Sequence, residues 1–284
     1  PTGADDAMDV INFSSRGPSP GNRVKPELIA PGTHIQGTAS THPFYNGVGV
    51  CDQFRPSEQT VFAASSGTSH STPAVAGISP LAYWWMQDKF SITTPSPAMI
   101  KAYLMAHPTY LTGASANGTL PSNSQGYGMP NMSTMFDNTS KFLLDQTHTI
   151  DNTGETWTWA GAVVDSSKPV RIALAYTDAP GAIGVSPQVN NLNLAVSNGG
   201  NTYLGNVFSN QWSTTGGTAD PYNNYEAVFL PPGTTGSIGI TITAFNIAGD
   251  GVPNSGDMTD QDFSLICYNC AAQDGVFVDV PPGF

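Results

Sequence analysis

The stretch Gly67-Thr68-Ser69-His70-Ser71-Thr72-Pro73-Ala74-Val75-Ala76 decides how this chain is read, because it sets a serine where a loop breaks into a helix. Gly67 lets another backbone approach closely, and Pro73 fits an early helical turn, where few backbone donors are needed. Ser69 falls in the first turn. The apolar run from Val75 to Met86 then predicts a mostly buried helix. Unpaired N–H groups at such a start attract developing negative charge, which an acyl-transfer transition state produces. A lone Gly-Thr-Ser is more commonly an ordinary helix cap, so its surroundings have to decide.

Two upstream segments do so: Phe13-Ser14-Ser15-Arg16-Gly17-Pro18 and Lys25-Pro26-Glu27-Leu28-Ile29-Ala30-Pro31-Gly32. With the serine segment they resemble, in order and spacing, three successive signatures of the subtilisin-like serine proteases (subtilases, peptidase S8). The resemblance implies an α/β subtilisin-like fold for residues 1–140, as the C-terminal portion of a catalytic domain. It also implies Ser69 as the catalytic nucleophile and backbone oxyanion donor, on a substrate and oxyanion turn of Ser66, Gly67 and Thr68. Ser65 and Ser66 would line the cleft, and the substrate would be a protein or peptide. In that family the serine is activated by a histidine from a His-Gly-Thr segment and an aspartate near the N-terminus, both upstream. None of His34, His42, His70, His107 and His148 stands in such a context, and no Asp-Thr-Gly or Asp-Ser-Gly precedes the serine.

The chain therefore reads as a portion of a longer enzyme whose partner is the missing N-terminal part carrying Asp and His. Alone it is expected to be inactive. Pro1, with no initiator methionine or signal peptide, agrees with a truncated, nicked or processed product. His70 is a poor substitute base, since successive residues at a helix start point about a hundred degrees apart. The family usually has methionine where His70 stands and histidine where Ala74 stands; both departures leave the nucleophile motif intact.

Composition sets the context. A net charge of -12 with only 11% charged residues, and 30 Gly and 23 Pro in 284 residues, suits a secreted, loop-rich, β-rich protein of two domains. There is no basic patch to neutralise phosphates, which argues against nucleic acid. No apolar run reaches the roughly eighteen residues that cross a bilayer, so no membrane partner is expected. Cys267 and Cys270 either close a small local disulfide or stay as thiols, Cys51 is free or paired with the missing part, and further zinc ligands are lacking.

Along the chain, Val10 to Ala39 reads as strands joined by tight turns, Thr41 to Ser57 as a polar loop, and Val61 to Ala64 as a short strand. Ser96 and Pro97 start a second helix that ends before Pro108. Asp137 to Gln146 reads as a linker. Beyond it, runs at 155–160, 170–176, 192–196, 227–230, 236–245 and 263–266 predict an all-β jelly-roll-like sandwich over residues 141–271, followed by a tail at 272–284. This part is similar to the C-terminal β-barrel domain of some secreted subtilisin-like alkaline proteases, through Thr177-Asp178-Ala179-Pro180 and Val189-Asn190-Asn191-Leu192-Asn193-Leu194. That likeness implies structural calcium, for which Asp220, Asn224 and Glu226 are the candidate ligands; the competing reading is a turn whose side chains bond their own backbone. Asn191 and Asn193 stand where the family carries aspartates, which weighs against a site there, and the acidic stretch Asp250 to Asp262 reads equally as a calcium loop or a solvated loop. Trp157, Trp159, Tyr203 and Trp212 are either core or a sugar-stacking face, the pair Trp157 and Trp159 reading as core. The alternative to a protease is a non-catalytic binding module or pseudoprotease fragment recognising carbohydrate or protein.

Overall fold

The computed structural model describes residues 6–116, 118–183 and 187–272; the expected tail lies almost wholly outside them. The described residues are mostly β with three helices, and every pairing between strands is antiparallel. The first part holds the hairpin β1 (Ile35–Thr38) and β2 (Phe62–Ser65), the helices α1 (Thr68–Phe90) and α2 (Pro97–Ala106), the two-residue strands β3 (Pro108–Thr109) and β4 (Met129–Pro130), and the single turn α3 (Met132–Met135). Ten strands follow: β5 (Lys141–Ile150), β6 (Thr156–Val163), β7 (Val170–Ala175), β8 (Asn191–Asn198), β9 (Asn201–Ser209), β10 (Trp212–Thr215), β11 (Tyr225–Leu230), β12 (Ser237–Asn246), β13 (Gln261–Tyr268) and β14 (Cys270–Ala272).

Those ten form two sheets, ordered β10-β9-β8-β12-β6-β14 and β11-β7-β13-β5. A core that includes Trp159, Leu194 and Ile240 from the first sheet and Ile172, Val228 and Leu265 from the second lies between them. The outer face of the four-stranded sheet is covered as well. Ala102 and Met105 of α2 share a second apolar cluster with Ala173, Ala175, Ala227, Phe229 and Ile266, the alanines letting the helix come close. Burial follows the layers. Every residue of β11 and β13 is buried, as in any strand covered on both faces, whereas β8 and β12 alternate because one face of their sheet meets water. Residues 141–146 are strand, not linker: with polar Asp145, Gln146 and His148 in it, β5 lacks the apolar signature of its partner β13.

Helix α2 begins as its sequence predicts, with the Ser96 hydroxyl accepting the Met99 N–H at 2.9 Å and Pro97 in the first position. Helix α1 departs from prediction. It continues through Pro80, and only Ala82 and Met86 are buried. Val75, Ile78 and Trp85 lean on the α2 cluster, while the opposite stripe of Ala74, Gly77, Leu81 and Trp84 is open, Trp84 being 60% exposed. No described element covers that stripe. Residues 10–34 also form almost no strand, because Pro18, Pro20, Pro26 and Pro31 lack ladder donors and no partner strand lies alongside.

His107, just past α2, joins the two parts. It is buried with Nδ1 2.7 Å from the Tyr103 carbonyl, Nε2 without a partner, and its ring between Tyr103 and Tyr268. Burial pushes its pKa down to about 3, opposed by the bond to Tyr103 and by Asp137 and helped by the charges of Lys141 and Arg171. The folded pKa lies below the unfolded one, so this stability is full above the unfolded value and is lost as pH falls toward 3. Burial raises the Asp262 carboxyl to about 6, an opposite pH trend, so the variant comparison isolates the histidine. Urea unfolding from pH 7 to pH 4 should show wild type losing up to about 1.4 kcal/mol per pH unit more than His107→Phe. Parallel slopes would contradict this role.

Candidate active site

Ser69 is the second residue of α1 and is exposed. The helix start is bare: Gly67 has an extended backbone, no side chain caps the first turn, and that turn has no acidic residue to offset its partial positive charge. The turn is held from behind. The Gly67 N–H donates to the Gly32 carbonyl at 2.7 Å, and the His34 N–H donates to Ser66 Oγ at 2.8 Å. Ser66 Oγ also lies 2.9 Å from the thiol of Cys51, and β2 fixes Ser65 against Ile35. Gly32 is required by close approach: a Cβ there would collide with Ser71 Oγ and come within 2.8 Å of the Gly67 carbonyl. The expected signature Ala30-Pro31-Gly32 therefore acts as the backing of the serine turn, a contact 35 residues of sequence away that no local pattern announces.

Among the described residues Ser69 Oγ has no hydrogen-bond partner, and no histidine bonds to it. His42 accepts from its neighbour Phe44, His107 is buried in the α2 joint, and His148 packs against Trp157 and Phe263. His70 is half-buried and makes no side-chain bond to the serine. Two clefts flank the helix start. One of about 290 Å³ lies between residues 6–14 and the Ile29 to Thr33 backing, and one of about 640 Å³ lies between Pro26 to Ala30, the Thr72, Val75 and Ser79 side of α1, and α2. Thr68 and Ser71 border both.

The three expected calcium ligands do not converge. Asp220 Oδ1 accepts from the N–H groups of Tyr222 and Asn223, and Oδ2 from the amides of Asn206 and Asn223, so both oxygens face N–H donors. That is surroundings for an anion, and it is the self-bonding turn of the competing reading. Asn224 instead donates to the Tyr176 carbonyl. Glu226 is fully buried against Gly205, with Oε2 accepting from the Leu194 N–H and Oε1 unpartnered, and burial raises its pKa well above the usual range. Among the described residues no group of three or more His, Cys, Asp or Glu could hold a metal, and the three candidate calcium ligands are each engaged with different partners. Cys267 and Cys270 form the local disulfide and Cys51 is an exposed free thiol. Trp157 and Trp159 are buried beside Phe142 and Phe263, which makes them core.

Comparison with known proteins bears on the serine. The sequence model of the subtilase family (Peptidase_S8) matches residues 2–128, the part that holds all three signatures and the turn. The chain is also similar to two serine protease/ABC transporter B family proteins of Dictyostelium discoideum. It is 27% identical to tagA over 267 residues, covering 85% of this chain and 15% of that protein. It is 23% identical to tagD over 328 residues, covering 92% of this chain and 17% of that protein. Residues 2–128 are thus subtilase-like, and the likeness to serine proteases runs on into the sandwich. The chain spans about one-sixth of the length of these relatives.

Chelation with EDTA should leave the melting temperature unmoved, while Asp220→Ala should cost about 2 kcal/mol or more with or without chelator, read by thermal unfolding. A chelator-dependent drop would restore the cation. Gly32→Ala should cost about 1–3 kcal/mol by the same assay, because either Ser71 or the Gly67 backbone must move.

Proposed function

We propose that this chain carries the nucleophile of a secreted subtilisin-like serine endopeptidase. The observation that carries this reading is an exposed serine at the uncapped start of a helix, inside the region that matches the subtilase family. Ser69 Oγ attacks the carbonyl carbon of a peptide bond and forms a tetrahedral oxyanion, toward which the N–H groups of the first turn contribute positive potential. Collapse breaks the C–N bond and leaves an acyl-enzyme on Ser69. The hydroxyl proton passes to a histidine base and then to the departing amine, and water hydrolyses the ester.

The base is not among the histidines described above; it comes from a further segment that also supplies the orienting aspartate. The open stripe of Ala74, Gly77, Leu81 and Trp84 supports such a segment, since an apolar helix is stable only when covered on both sides. With it the first part would complete an α/β subtilisin-like domain, dividing from a jelly-roll-like sandwich near residue 140. The Cys267–Cys270 disulfide and the low charge content support an oxidising, extracellular setting.

For such triads, with subtilisin the reference case, losing the partners of the serine costs about four to six powers of ten in turnover. The pure chain should therefore show no cleavage of a peptide substrate, and mixing with the parent segment that bears His and Asp should restore cleavage that Ser69→Ala abolishes. Turnover by the chain alone that Ser69→Ala removes would sink the inactivity claim. Failure of the folded parent to cleave any peptide would favour the non-catalytic binding module.

A further inference from the structure

The backing of the serine turn is itself held by the sandwich. Residues 18–32 carry no strand, and the isolated bridge between Ser19 and Arg23 is their only ladder contact. Side chains from the sandwich bind the backbone of Gly21 and Val24 instead. The Val24 N–H donates to Asn223 Oδ1 at 3.0 Å and the Tyr225 hydroxyl donates to the Val24 carbonyl at 2.5 Å, so one residue has both backbone groups bound by two buried side chains. Asp220 accepts the Asn223 Nδ2 at 2.6 Å, which fixes the end of the amide that faces Val24. Beside it, Arg23 donates to the Tyr222 carbonyl and pairs with Asp178, and Gln188 donates to the Gly21 carbonyl.

From Val24 the chain is tied at short intervals to Gly32. Glu27 pairs with Lys25 and, at 2.9 Å, with Lys101, whose ammonium stands 4.5 Å from the centre of the Tyr225 ring. The Glu27 carbonyl accepts the Tyr127 N–H and packs on Gly126, where a Cβ would collide with that carbonyl and φ is +59°. The Ile29 N–H donates to Gly128, and three residues later Gly32 receives the Gly67 N–H. Val24 and Gly32 are eight positions apart, and Lys25, Glu27 and Ile29 between them are each held by hydrogen bonds.

We propose that Asn223 and Tyr225 are positioning residues for the serine turn, acting through the segment Val24 to Gly32. The functional meaning rests on Ser69 being the nucleophile; the mechanical coupling does not. Calcium is not needed at the 220–226 loop on this reading: the N–H donors gathered on Asp220, two of them from Asn223 itself, orient Asn223.

Hydrogen exchange with mass spectrometry on the whole chain tests the coupling. Tyr225→Phe removes a single hydroxyl and keeps the ring against Lys101; Asn223→Ala removes the amide. Both should speed exchange of the His34 and Gly67 amides by on the order of five- to tenfold, the loss expected for one or two hydrogen bonds, while Leu194 and Ile240 in the sandwich core keep wild-type protection. Faster exchange that stops at residues 20–26, or that is shared equally by Leu194 and Ile240, would overturn the proposal. Exchange requires no chemistry at Ser69, so this test and the cleavage test above fail independently.

Discussion

The four-stranded sheet β11-β7-β13-β5 is the element on which the rest depends, because both of its faces are dry. One face packs on the six-stranded sheet and the other on α2, so removing either cover would bare buried apolar residues of β7, β11 and β13 to water. This double burial welds the first part to the sandwich. His107, Tyr103 and Tyr268 close the same joint, where the Asp137 carboxylate is held well below the usual carboxylate range: burial pushes it up, but bonds from Lys141, Thr139 and Tyr268 outweigh that. The first part consequently rests on a prebuilt β platform.

That platform explains the division of labour around the serine. Helix α1 is anchored on one side only, through Val75, Ile78, Ala82, Trp85 and Met86, and its first turn is aimed outward from a backing loop. The exposure of Ser69 and the openness of the stripe opposite are two consequences of the same half-covered helix. A serine displayed this way has partial positive charge at its backbone and, among the described residues, no histidine bonded to its hydroxyl.

Much of this was legible in the sequence, for reasons that differ by element. The alternation in 236–245 and the Ser96-Pro97 start encode β12 and α2 directly, because one-sided burial and capping are local properties. The place of Ser69 at a helix start was legible because Gly-Thr-Ser ahead of an apolar run marks a loop breaking into a helix. What stayed hidden was set by distant partners. β5 looked like linker since its apolar content is diluted by Asp145 and His148, and β9 with Gly205 is shaped by its contact with Glu226. The acidic loop at 220–226 looked like a cation site because sequence shows oxygens without showing that N–H groups already surround them. Residues 10–34 looked like strands because their apolar runs alternate, yet their prolines and the lack of a neighbouring strand leave them as extended loop.

The most direct test of the account is to treat the folded parent protein, containing this chain, with a fluorophosphonate probe and to map the adduct by peptide mass. The account predicts one covalent adduct, on Ser69, absent from Ser69→Ala and absent when the segment bearing the histidine is removed. An adduct on another residue, or none on a parent shown to be folded, would contradict the assignment of Ser69 as a nucleophile.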